Sequence, residues 1–282
     1  METQITTAVE KNIRTGYKFL REMCSFNADF NAFIPRINPI TNRVNYIQYQ
    51  LKQMNVPFET DIFNADNPEK LNMDKPKYVN VYAFFKGSNP SNETIVFLAH
   101  HDIANIESEN CQDNTASVCN LLHLCEILRN TKLNKNVLVA FTDAEEIVSP
   151  ETCGAKRLAI LTRIGMFGNV FKAINLELTA NGECLWLSTM RNFPFALELS
   201  EKYNGQLVET PYNDAFVLEL NGLTSVCIGT LTENELYTTL RNKPNFCRTW
   251  GLCHTDFDTI SNANAEDMKR FVENILVKMC EV

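Results

Sequence analysis

The sequence predicts an α/β protein: a three-layer sandwich whose central sheet is mixed but mostly parallel, flanked by helices, and built as a single domain over residues 1–282. Three observations predict it. From about residue 94 to 178, short apolar runs alternate with stretches of helical periodicity, the pattern of strands buried on both faces by crossover helices. A chain of 282 residues that is 45% hydrophobic can bury a core of that size. No internal repeat, low-complexity tract or long Gly/Ser linker divides it.

The elements follow in order. Residues 8–24 and 41–54 carry apolar side chains at helical spacing, with Pro57 just beyond the second stretch. Strands are expected at 78–85 and 94–99, and the turn-rich KGSNPSN between them predicts a hairpin. A helix over about 115–129, a strand at 136–141, a helix over about 153–163 and a strand at 173–178 come next. Strands at 184–188 and 225–229 flank a helix near 194–203, and an amphipathic helix from about 265 to 280 closes the chain.

Composition excludes some classes of function. A net charge of −8 provides no basic face for a phosphate backbone, so nucleic acid is not an expected partner. The N-terminal METQITTAVEKNIRTGYKF lacks the apolar centre and cleavage site of a signal peptide, and no apolar run is long enough to span a membrane. A soluble, cytoplasmic protein is expected. The ten cysteines are scattered through apolar segments, so reduced thiols are expected, although Cys247 and Cys253 are close enough in sequence to pair.

Functional groups of open α/β sheets collect beyond the carboxyl ends of strands. His100 and Asp102 follow one expected strand, Asp143, Glu145 and Glu146 the next, and Glu177 lies at the end of a third. Asp113 precedes a helix and His254 comes shortly before the last one. Each has an ordinary reading: a polar strand end for His100 and His101, a helix cap for Asp113, helix-dipole complement for the Asp143–Glu146 acids, a buried ion pair for Glu177. Together, two imidazoles and several carboxylates are the mixed nitrogen and oxygen donors that suit zinc, with cobalt or manganese as alternatives.

The ordered set LAHHDIAN, CQDNTASVCNLLHLCEIL, VLVAFTDAEEI, AINLELT and GLCHTDFDTI resembles the co-catalytic, di-zinc aminopeptidases, above all bacterial leucyl aminopeptidases; glutaminyl cyclases share that zinc-peptidase fold. The resemblance covers roughly residues 75–282. It implies two divalent metal ions, one held by His100, Asp113 and Glu177 and the other by Asp113, Glu146 and His254, with Asp113 bridging. It also implies Asp102 as the partner orienting His100, and Glu145 as the general base. His101 would be a pocket wall, and the Asp113–Asn114 peptide is cis in relatives.

The implied reaction is hydrolysis of the N-terminal peptide bond of a peptide with a free N-terminus, by a water that two metals activate. Glutaminyl cyclase, dipeptidase or carboxypeptidase activity on the same fold is the alternative, and a catalytically silent binding domain is the non-enzymatic one. The presence of His100 favours two metals. Tyr237, Phe246 and Trp250, close before His254, are expected to line an apolar side-chain pocket. This sequence departs from the family pattern where CQDNTASV lacks a glycine after the serine and where IVSPETCGAK lengthens the loop after Glu146.

Overall fold

The computed structural model describes residues 14–25, 40–64, 77–146, 153–242 and 247–281. Helix α1 (Gly16–Met23) buries Phe19, Leu20 and Met23, and the earlier part of the expected helix lies outside the described residues. Helix α2 (Asn42–Gln53) begins where the Thr41 hydroxyl accepts from the Val44 amide at 3.2 Å, and it buries Val44, Ile47 and Leu51 at helical spacing.

The strands are β1 (Phe58–Asn64), β2 (Lys77–Phe85), β3 (Glu93–His100), β4 (Asn136–Thr142), β5 (Asn169–Leu176), β6 (Cys184–Ser188), β7 (Gln206–Leu207) and β8 (Ser225–Leu231). They form one eight-stranded sheet in the order β1-β2-β4-β3-β5-β8-β6-β7. The central run β4-β3-β5-β8 is parallel, whereas β1–β2, β2–β4 and β8–β6 are antiparallel.

The expected hairpin between β2 and β3 does not form, because β4 lies between them. Every residue of β4 is buried, so it takes a position with a neighbour on each side rather than an edge. The connection passes close over the start of β4, where the Ser88 amide donates to the Leu133 carbonyl at 3.0 Å. A Cβ on Gly87 would stand 2.4 Å from the Lys135 carbonyl carbon, so only glycine fits that crossing.

Helix α3 (Ala116–Leu128) packs with α1, α2 and the C-terminal helix on one face of the sheet, over residues such as Phe97, Val139 and Ile174. Helices α4 (Gly154–Arg163) and α6 (Asp214–Leu220) cover the other face against Leu98, Leu138 and Ala140. Helix α5 (Phe193–Tyr203) follows β6, while α7 (Glu233–Asn242) and α8 (Arg248–Leu252) come between β8 and His254. The C-terminal helix starts at α9 (Ala265–Phe271), where Asn264 accepts from the Glu266 and Asp267 amides, and continues through a wider turn over Val272–Leu276. The sandwich is thus three-layered and mixed, as the sequence predicts. Among the described residues, no helix is long and apolar enough to cross a membrane.

Candidate active site

Register sets the site. Parallel pairing aligns His100 at the end of β3 with Thr142 at the end of β4, so the two following loops leave the sheet side by side. Glu177 leaves β5 at the same end, with its amide bonded to the Ile228 carbonyl at 2.9 Å. His100 is 1% exposed. Its Nδ1 lies 3.3 Å from Asp102 Oδ1, and its Nε2 lies 3.1 Å from Asp113 Oδ1 and 3.7 Å from Glu177 Oε2.

Asp113 stands in the wider turn Cys111–Thr115 ahead of α3, and its peptide to Asn114 is cis. Its second oxygen, Oδ2, is 3.1 Å from His254 Nε2, which is also 3.1 Å from Glu146 Oε2. The structure therefore gathers His100, Asp113 and Glu177 in one group and Asp113, Glu146 and His254 in another, each with potential ligand atoms within 4.8 Å of one another. His100, Glu145 and Glu146 satisfy the same criterion.

The loops are locked to one another by backbone bonds. Asp102 accepts the Glu145 amide at 3.3 Å and the Glu146 amide at 3.1 Å, so it faces His100 on one side and fixes the acidic pair on the other. Asp143 turns away from the site: it accepts the Val79 amide of β2 at 2.8 Å and the Ala144 amide at 2.9 Å. Ala144 and His254 both adopt left-handed backbone angles, with φ of 66° and 63°. That conformation costs about 1 kcal/mol or more for a residue with a Cβ.

His101 does not line the cavity as expected. It follows His100 with opposite side-chain direction, and its Nε2 is 2.8 Å from the Val79 carbonyl of β2. Its own carbonyl accepts from Arg43 Nε of α2 at 2.6 Å, so His101 ties helix and sheet behind the site.

A cavity of about 790 Å³ opens over these groups. Its described lining holds His100, His254 and the carboxylates of Asp113, Glu145, Glu146, Glu177 and Asp214, and no lysine or arginine. Burial disfavours charge on His100, but Glu177, Asp102 and Asp113 outweigh it and hold the imidazole well above its ordinary pKa. Burial likewise works against ionised Asp113, yet His100 and His254 bring it below the usual carboxylate range. Burial raises Glu145 well above that range, and pushes Glu146 up to about 7 with help from the Asp113 charge.

Five carboxylates and two imidazoles around one cavity, with a buried Glu146 Oε1 that lacks a hydrogen-bond partner among the described residues, fit divalent cations and the mixed oxygen and nitrogen donors that hold them.

Residues 80–279 match the model of peptidase family M28. The chain belongs to that family. Membership places it among the peptidases. No curated protein matches the sequence.

Among solved structures, this M28 chain resembles Porphyromonas gingivalis glutaminyl cyclase (TM-score 0.70, 14% identity, 93% of this chain and 95% of that one). It equally resembles a Zn-dependent exopeptidase from Parabacteroides distasonis (TM-score 0.70, 14% identity, 96% and 98%). The zinc aminopeptidase BSAP from Bacillus subtilis matches over 73% of this chain and 50% of its own, at TM-score 0.55 and 16% identity.

Of the aromatic residues expected around the pocket, Trp250 lines the cavity and packs on Trp186 at 5.1 Å between ring centres. Tyr237 does not: it is 56% exposed on α7, with the Arg241 guanidinium over its ring. Phe246 lies outside the described residues, as do residues 147–152 of the lengthened loop. Cys247 and Cys253 are free, the first donating to Glu235 at 3.5 Å and the second to the Thr249 carbonyl at 3.7 Å.

Sequence reasoning missed Trp186 and Asp214. Trp186 sits in an apolar strand and gives no local signal. Asp214 follows Asn213, which caps α6 by accepting the Ala215 amide, and so reads as part of a cap. Its Oδ2 instead accepts from the Thr142 hydroxyl at 2.7 Å beside the acidic loop.

Proposed function

We propose that the protein is an aminopeptidase that hydrolyses the N-terminal peptide bond of peptides with a free amino terminus. One observation carries the reading: Asp113 presents one oxygen to each of two imidazoles, at 3.1 Å on both sides, with Glu177 beside one and Glu146 beside the other. His100, Asp113 and Glu177 would hold one divalent cation and Asp113, Glu146 and His254 a second. When bound, two such ions, zinc by donor type with cobalt or manganese as alternatives, polarise a carbonyl and acidify water.

The chain's own residues divide the remaining work. Glu145 belongs to neither bridged group, and its raised pKa suits a base that takes a proton from water and delivers it to the leaving amine. Asp102 positions it through the backbone while facing His100 Nδ1.

The acidic cavity favours the substrate's α-ammonium group. A carboxypeptidase would need a cation for the terminal carboxylate, and the described lining offers none. Trp186, Trp250, Leu178 and Val217 would receive an apolar first side chain. The ten free cysteines support a reducing, cytoplasmic setting.

The test is a peptide beginning with leucine, offered unblocked and N-acetylated to zinc-loaded protein. Release of free leucine from the unblocked form alone is expected. Cleavage of the acetylated form would sink the aminopeptidase reading. Ammonia release from a glutamine-initiated peptide, with no free amino acid from either, would replace it with a cyclase.

A further inference from the structure

The segment that carries His254 also reaches back and takes hold of the Asp113 turn. Asp258 is 1% exposed. Its Oδ1 accepts the Gln112 amide at 2.8 Å and its Oδ2 the Asp113 amide at 3.1 Å. The same residue's carbonyl accepts the Cys111 amide at 3.2 Å and the Ser108 hydroxyl at 2.9 Å, and the Ile260 amide donates to the Glu109 carboxylate.

Among the described residues Asp258 has no cationic partner. A buried carboxylate without a counter-ion is costly unless its oxygens accept strong hydrogen bonds. Here two consecutive peptide N–H groups supply them, and they do so only with the Asp113 turn in its present place. The arrangement repeats what Asp102 does for the Glu145 and Glu146 amides.

We propose that Asp258 is a positioning residue that fixes the backbone of Asp113 against the His254 segment, so that one carboxylate spans both imidazoles. This rests on the two-cation reading above. Asp258 touches neither substrate nor reacting atoms; it acts through Asp113. A turn released from this clamp would let Asp113 swing toward one histidine and leave the other.

Cobalt(II) titration of the metal-free, full-length protein tests it, followed by calorimetry and by the visible absorption of the bound ion. Asp258→Asn keeps size but turns one acceptor into a donor that confronts an N–H. It should weaken cobalt binding by about 10- to 100-fold and alter the absorption bands. Ser108→Ala, which spares the carboxylate, should keep the parent's affinity and spectrum. An Asp258→Asn protein with parental affinity and bands would overturn the assignment.

Hydrogen exchange on the unsubstituted, metal-free protein covers the case of a variant that does not fold. Protected Gln112 and Asp113 amides are expected, and rapid exchange at both would overturn the clamp. Absence of cobalt uptake by the parent would overturn the two-cation reading and, with it, the positioning role, whereas parental uptake with an unaffected variant would overturn the role alone.

Discussion

His100 and His123 are both buried, at 1% and 0% exposure, yet their surroundings drive the two imidazoles in opposite directions. His100 ends a central strand where three loops converge, and three carboxylates lie within 3.7 Å of its ring nitrogens. His123 lies inside α3, against the C-terminal helix, with its nearest carboxylate oxygen, Glu273 Oε1, 3.8 Å away. Both its ring nitrogens lack a hydrogen-bond partner among the described residues. Burial, helped by the Lys269 charge, lowers its pKa to about 4. Burial alone therefore does not make a histidine a candidate ligand; the carboxylates assembled around it do.

The largest effect that would sharpen this contrast is expected at the acidic loop. Glu145→Gln should reduce peptide turnover by roughly 100- to 10,000-fold, as loss of a general base does, while both metal equivalents remain bound. Loss of metal by this variant would show that Glu145 is a ligand, and would redraw the groups around His100.

Paired histidine variants come next. His100→Ala should lower metal stoichiometry and cost more affinity than the ~10–100-fold typical of a residue behind the ligands. His123→Leu should bind metal and turn over substrate like the parent. Equal metal loss from both would break the comparison.

Acid stability provides a third test. His123 has a folded pKa near 4, below the ordinary value of 6.5, so the unfolded chain binds the extra proton between those values. Its contribution is intact above about pH 6.5 and is lost as pH falls toward 4, by up to roughly 3 kcal/mol. Denaturant titrations of parent and His123→Leu at pH 7 and pH 4.5 should diverge, with the variant losing less on acidification. Parallel losses would mean that His123 is solvated or paired in the native state.

The smallest effect is expected at the cavity wall. Trp250→Ala should change the relative kcat/KM of leucine, phenylalanine and alanine substrates by about 10-fold. An unchanged ranking would mean that Trp250 only packs on Trp186.

Much of the fold was legible because it rests on local periodicity. The apolar runs within β3, β4 and β5 and the amphipathic α2 have a single consistent reading. β1 escaped because FETDIFN is a largely exposed edge strand, and α6 because it is short and starts in a Pro–Asn turn. The hairpin failed for a different reason: adjacency in sequence favours β2 beside β3, but β4, buried throughout, must be hydrogen-bonded on both sides.

The sequence by itself supplied the candidate residues: position after strands singles out His100, Asp102, Asp143, Glu145, Glu146 and Glu177, and the ordered motifs that resemble the aminopeptidases add Asp113 and His254 and leave Asp143 out, because side-chain type and spacing are local properties. The tertiary structure alone decided which of them meet, and how. The two oxygens of Asp113 reach His100 and His254 because a clamp from Asp258 and the parallel register of β3 and β4 hold three distant loops together. His101 leaves the cavity wall it was expected to form, and Asp214, for which the sequence carried no expectation, stands in it, for the same reason: which way a side chain points across a sheet or out of a cap depends on what packs against it, and spacing along the chain does not encode that.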